Sequence, residues 1–242
     1  MKAQRRQILK AMPMLGAIAA AAARAATTDL VVACDTTLGR SLRAVGRAFR
    51  ARAGVTVHIF PTPPGLILPQ LKREVQNDIV VTETHRLSSA ADSRIIAAIP
   101  SGNHWRNRLV LAGRKDARSA SMEGLTIAAT DPTPACALDG PAVLSTAGLH
   151  PRAIIGAIDT DEVLDLITSG AAAVGLLHAT DLAADNRLEV VAPIPDSTYA
   201  PIIYAAAVTR LARRPDPDAF VRFLASEDAA AILRAHRLER AS

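Results

Sequence analysis

Aromatic residues are scarce: four Phe, two Tyr and one Trp in 242 residues, although half of the chain is apolar. A sizeable core must therefore be built from Ala, Val, Leu and Ile. Cysteine is almost absent as well. Cys34 and Cys136 form no Cys-x-x-Cys and stand in no zinc-type spacing with histidine, so no redox or zinc motif is present. The glycine patterns that cradle phosphates or dinucleotides are missing too. There is no internal repeat and no low-complexity linker outside the Ala-rich N-terminus.

What is present begins with charge. A pI near 9.8 and a formal charge of +5 suggest an acidic polymer as partner. The distribution removes that suggestion. The opening MKAQRRQILKAMPMLGAIAAAAARAA has a basic start, an apolar stretch from Ala11 to Ala23 and a small-residue ending, the layout of an export signal. The stretch is too short and Ala-rich for a convincing membrane span. Cleavage after Ala25 would remove Lys2, Arg5, Arg6, Lys10 and Arg24 and no acid, taking the formal +5 to 0. No nucleic-acid partner is then implied. Arg5-Arg6 resembles a twin-arginine signal; the alternative for the whole segment is an uncleaved lipid-surface anchor. In an exported chain the two cysteines are also a disulfide candidate.

Beyond residue 29 the pattern alternates. Strands are predicted at 30–34, 55–60, 78–82, 107–112, 125–130, 173–178, 188–192 and 202–209. Helices are predicted at 38–52, 64–75, 86–91, 140–148, 160–169, 216–225 and 227–236. This alternation implies α/β architecture with largely parallel sheets. Asp216-Pro217-Asp218 and Ser226-Glu227-Asp228 mark helix starts, and Gly148 and Gly170 sit where helices should stop.

The stretch VVACDTTLGRSL, residues 31–42, turns from an apolar strand to an amphipathic pattern through a thiol, a carboxylate and two hydroxyls. A Thr before such a pattern is an ordinary helix cap. Free N–H groups at a helix start, aided by hydroxyls, also bind anions. The loop Pro61-Thr62-Pro63-Pro64-Gly65 leaves the next strand on the same side. Loops at the carboxyl ends of parallel strands line the ligand crevice of such folds.

The order of these motifs resembles the periplasmic molybdate-binding proteins of ABC importers, in the two-lobed type II solute-binding class. Asp35-Thr36-Thr37-Leu38 stands where that family has an Ala-Ala-Ser-Leu-type motif. Gly54-Val55 then opens a strand, and Phe60-Pro61-Thr62-Pro63-Pro64 replaces a Phe-Ala-Ser-Ser-Ser-type loop. Asn77-Asp78-Ile79-Val80-Val81, Asp131-Pro132-Thr133-Pro134 and Gly175-Leu176-Leu177-His178-Ala179-Thr180-Asp181 follow in the family's order, covering about residues 29–238. The resemblance implies one lobe from 29–108 plus 200–242 and another from 109–199, joined near Arg108–Leu111 and Pro201–Tyr204. It implies a periplasmic monomer that holds a small oxyanion, molybdate or similar, between the lobes and passes it to an ABC permease. No cofactor and no enzymatic activity are implied.

The family holds its oxyanion with uncharged donors. Carried over residue by residue, Thr37 keeps the first hydroxyl, with Thr36 beside it. Pro63 stands at the second and has neither hydroxyl nor N–H, although Thr62 adjoins it. Backbone donors fall near Ala137 and Thr160, and His178 stands for a Tyr. Asp35 reads as a turn former or a partner to Arg40. Two alternatives remain open at this point. Cys34, Asp35, Cys136 and His178 could ligate a soft metal cation. A cysteine paired with His178, His85 or His58 could act as a nucleophile. An orphan sensor that signals lobe closure to a membrane partner is a further possibility.

Overall fold

A computed structural model describes residues 29–96, 99, 103–115, 124–132, 138–184, 186–214 and 216–241. Strands β1 (Leu30–Asp35), β2 (Val57–Thr62), β3 (Ile79–Glu83), β4 (His104–Asn107), β10 (Ile202–Val208) and β11 (Glu239–Arg240) form one sheet, in the order β11-β4-β10-β3-β1-β2. Strands β5 (Leu109–Arg114), β6 (Thr126–Thr130), β7 (Ala153–Ala157), β8 (Val174–His178) and β9 (Leu188–Pro193) form a second, in the order β7-β6-β8-β5-β9. The architecture is α/β and two-lobed, one sheet to each lobe.

The sheets are mixed rather than largely parallel. β1 runs parallel to β2 and β3, and β6 to β7 and β8. The strands that carry the chain between lobes run the other way. β10 is antiparallel to β3 and β4, and β5 to β8 and β9. The chain crosses at Arg108, the single residue between β4 and β5, and returns between Pro193 and Ile202. A strand arriving from the other lobe needs no crossover helix, which removes the constraint that keeps its neighbours parallel.

Helices follow from apolar spacing. In α1 (Gly39–Ala53), Leu42, Val45 and Phe49 are buried, and Gly54 ends the helix at φ 72°. Only glycine takes that left-handed turn without strain. The Phe49 ring meets Phe220 edge-on at 5.2 Å and Phe223 at 5.3 Å, so the C-terminal helices α6 (Pro217–Leu224) and α7 (Glu227–Ala235) belong to the first lobe. Asp216 and Ser226 cap those two helices through the N–H groups of Ala219 and Ala229, as the sequence predicts.

The remaining helices are α2 (Pro64–Lys72) and α3 (Thr84–Asp92) in the first lobe, and α4 (Gly140–Thr146) and α5 (Thr160–Ser169) in the second. A 3-10 turn spans Thr36–Leu38 before α1, and another spans Ala179–Ala184 after β8. Helices α1, α2, α3 and α5 and both 3-10 turns start just beyond the carboxyl end of a strand. Because the two sheets turn these ends toward each other, the helix starts converge on one space. Among the described residues no helix is long and apolar enough to cross a membrane.

Candidate functional site

That space is a cleft of about 740 Å³. The first lobe lines it with Thr36, Thr37, Pro63 and Glu83, the second with Thr160 and His178, and Tyr204 of β10 lies between. Of the residues singled out in the sequence, Thr36, Thr37, Pro63, Thr160 and His178 are therefore brought together. Thr62 is not among the lining residues. It is buried opposite Asp35 in the β1–β2 register, and its hydroxyl donates to the Phe60 carbonyl at 3.3 Å. Ala137 and Cys136 lie outside the described residues.

The threonines do not cap α1. They sit inside the 3-10 turn, whose preceding residue is Asp35, and neither Asp35 nor Leu38 makes a side-chain cap. Thr37 Oγ1 instead hydrogen-bonds Tyr204 Oη at 3.2 Å. The other first-lobe starts are also uncapped: Pro63 precedes α2 and Glu83 precedes α3 without a capping bond. Pro63 and Pro64 lack N–H groups, so α2 offers few donors. Gly39 N–H, the first of α1, is taken by the Thr36 carbonyl, so the open N–H groups at this start belong to the 3-10 turn; there and at α3 they have no side-chain acceptor, the arrangement that favours an anion.

The second lobe differs. Asp139 caps α4 by accepting from Ala142 N at 3.0 Å, and Asp159 caps α5 by accepting from Glu162 N at 2.9 Å. Glu162 adds a second bond at this start, accepting from the N–H of Ile158, the residue before the cap, at 2.7 Å. Asp161 and Glu162 place further negative charge in the first turn of α5.

Charges of both signs line the walls. Arg40, Arg43 and Arg86 come from the first lobe. Among the described residues Arg40 and Arg43 make no ion pair, whereas Glu83 lies 3.3 Å from His85 and 4.0 Å from Arg86. Asp181 accepts from the His178 backbone N–H at 3.1 Å and lies 3.6 Å from its Nδ1. Burial opposes charge on that ring, yet Asp181, Glu83 and Asp35 together hold its pKa above the usual histidine value.

Asp35 makes neither the turn contact nor the Arg40 pair that its sequence context suggests. Its side chain turns inward, 1% exposed, and Oδ1 accepts from Thr82 Oγ1 at 2.6 Å. Oδ2 has no partner. Burial pushes the carboxyl up to about 7, against the Thr82 hydrogen bond and with help from Glu83.

Tyr204 is the principal residue that the sequence reading passes over. Its phenol bonds Thr37, and the neighbouring Asn107 donates through Nδ2 to Thr180 Oγ1 at 3.0 Å. These groups run from the first-lobe loop, past the crossing at Arg108, to the second lobe. One signal was available: Tyr204 is one of two tyrosines and falls in the second predicted crossing segment.

Cys34 is a fully buried free thiol in the core under β1, outside the cleft lining. Burial, reinforced by Asp35, raises its pKa far above that of an ordinary thiol, so it is held protonated and is poorly suited as nucleophile or soft-metal ligand. Among the described residues no cluster of His, Cys, Asp and Glu could hold a metal ion.

Comparison with known proteins agrees with this geometry. A model of the family described as "Bacterial extracellular solute-binding protein" matches residues 30–237. No curated protein sequence matches the chain. Among solved structures, a Clostridium difficile protein assigned as the substrate-binding domain of a molybdenum ABC transporter superposes with a TM-score of 0.70 at 19% identity, covering 88% of this chain and 99% of that one. The Azotobacter vinelandii periplasmic molybdate-binding protein gives 0.68 at 18% identity, with 88% and 100% covered. L-phospholactate-bound PEB3, a Campylobacter jejuni protein, gives 0.65 at 10% identity, again with 88% and 100% covered.

Proposed function

The chain belongs to the bacterial extracellular solute-binding protein family, and on that premise we propose that it binds a small oxyanion between its lobes for delivery to an ABC permease. Residues 1–25 act as the export signal, and the rest works in the periplasm as a monomer. The lobes comprise 29–108 plus 200–242 and 109–199, with the crossings at Arg108 and 194–201 as the hinge. Thr36, Thr37, the N–H groups at the starts of their 3-10 turn and of α3, Thr160 and His178 contact the ligand, and Tyr204 orients the Thr37 hydroxyl.

One observation carries this reading. Uncapped helix starts, two threonine hydroxyls and three arginines face one cleft from a single lobe. Molybdate is the first candidate, because two of the structural neighbours are named for it. Thermal shift of the purified protein with molybdate, tungstate, sulfate and phosphate tests the assignment. A ligand at 100 times its Kd should stabilise the fold by about 2.7 kcal/mol. No shift with any oxyanion, together with a shift from a neutral solute, would sink it.

Arg40 and Arg43, unpaired among the described residues, favour a second reading, in which the oxyanion belongs to a small organic acid. A cleft of about 740 Å³ exceeds the needs of a tetrahedral ion, and L-phospholactate occupies PEB3. Phosphorylated hydroxy acids, run beside the bare ions, separate the two: a larger shift from the organic acid selects this reading.

A further inference from the structure

The uncapped first-lobe wall has a feature with no place in simple anion binding: a buried carboxylate directly behind it. Asp35 immediately precedes Thr36 and Thr37 in the chain, is 1% exposed, and leaves Oδ2 without a hydrogen-bond partner. An ionised carboxylate here has desolvation on every side and one neutral hydroxyl, Thr82, in compensation. The groups facing it carry both signs. β3 brings Glu83 and α3 brings Arg86, while β8 brings His178 with Asp181 against its ring. β10 brings the Tyr204 phenol, whose own ionisation Asp35 opposes, and β1 itself brings the neutral Cys34 thiol.

An anion entering beside Thr36 and Thr37 adds another negative charge next to this carboxylate. Like charges that close cannot both be held cheaply away from water. We propose that Asp35 takes up a proton when the cleft binds its anion, so that this protein captures an anion and a proton together. The inference rests on the anion-binding reading above. It identifies Asp35 as a positioning residue that never touches the ligand. The balance is simple: solvent supplies the proton, Oδ2 receives it, and release of the anion returns it. Capture is then favoured on the acid side of neutrality and release on the alkaline side.

The fit with the site's own chemistry supports this. Burial already lifts the Asp35 carboxyl to about 7, so near pH 8 it is mostly ionised in the empty protein and available to be protonated. Asp181, Glu83 and Asp35 favour the charged His178 ring against its burial, so ring and carboxyl are coupled and the Asp35 variant is what tells them apart.

Calorimetric titration of the purified protein with molybdate at pH 8, in buffers of different ionisation enthalpy, counts the protons. Phosphate and tungstate serve as probes if molybdate gives no heat. Uptake near one proton per anion is expected, with affinity weakening by about tenfold per pH unit above the Asp35 titration. Asp35→Asn should remove most of this uptake and flatten the pH profile. Thr82→Val, which deletes the hydroxyl favouring the ionised form, should move the onset of coupling to higher pH and tests the idea even if Asp35→Asn fails to fold. Equal uptake in wild type and Asp35→Asn, or an onset unmoved in Thr82→Val, overturns the inference while anion binding stands. No oxyanion heat at pH 6 or 8 overturns the anion-binding reading and this inference with it.

Discussion

The two lobes meet at one cleft yet treat their polar groups in opposite ways. In the second lobe Asp139 and Asp159 cap their own helices, Glu162 takes the Ile158 N–H and Asp181 engages His178. In the first, the starts of α1 and α3 are uncapped, Arg40 and Arg43 are unpaired among the described residues, and Asp35 is half-satisfied in the interior. Caps are local and stabilise a helix with or without ligand. Donors left open favour the bound state alone, which is where binding specificity must come from. On the proposed reading the first lobe holds the anion and the second is a self-contained wall facing it.

The largest effect expected from breaking this contrast is on stability. The folded Asp35 carboxyl titrates near 7, whereas in the unfolded chain it titrates near 3.8. Between those values the folded state binds more protons than the unfolded, so Asp35 makes stability fall as pH rises through that window. Asp35→Asn removes this loss. At pH 8 the variant should gain up to about 4 kcal/mol, at 1.36 kcal/mol per pKa unit, and near pH 4 the two proteins should match. Urea unfolding at both pH values measures it; equal stability at pH 8 would mean that Asp35 is already well solvated or paired.

Next in size is the binding surface itself. Thr37→Val removes the hydroxyl that bonds Tyr204 and should weaken anion binding by about 1–3 kcal/mol, the cost of a lost buried hydrogen bond. Because neither threonine caps α1, helix stability should change little. A large loss of stability with unchanged affinity would reverse the assignment of the two lobes.

Asp159→Ala should do the opposite. It deletes a cap, so thermal unfolding should show a loss of about 0.5–2 kcal/mol. Anion affinity should hold or rise, since a carboxylate leaves the cleft wall. A fall in affinity would make Asp159 part of the ligand site.

How far the sequence anticipates this contrast differs from level to level. Apolar runs such as Leu30–Asp35 and Thr126–Thr130 read plainly as strands because β-branched and small apolar residues fill them. His104–Asn107 does not, being short and polar, with only Trp105 and Asn107 turned inward. Pro63 and His178 reach the cleft as their order along the chain implies. Tyr204 could not be placed, because only an antiparallel pairing of β10 with β3 sets it opposite Glu83, more than a hundred residues away in sequence. Asp35 misleads for a local reason. A carboxylate before two threonines looks like a turn former, and only the β1–β3 pairing shows it turning inward to Thr82.

The smallest expected effect concerns the arginines, and it sharpens the comparison most finely. Arg40 and Arg43 stand one helical turn apart on α1 at the cleft rim, both exposed. Charges in contact with water are screened within about 8 Å at physiological salt, so each should contribute little to a bare oxyanion held deeper by N–H groups and hydroxyls. Arg40→Gln should therefore weaken molybdate binding only about two- to fivefold, and the difference should vanish in roughly 1 M salt, where the screening length falls to about 3 Å. A phosphorylated organic acid reaching the rim would feel the same substitution more strongly, because its second charged group would sit against the guanidinium. Measuring both ligands on one variant at two salt concentrations separates the readings. Equal small losses place the anion deep in the first lobe, whereas a larger, salt-resistant loss for the organic acid makes the rim arginines part of the site.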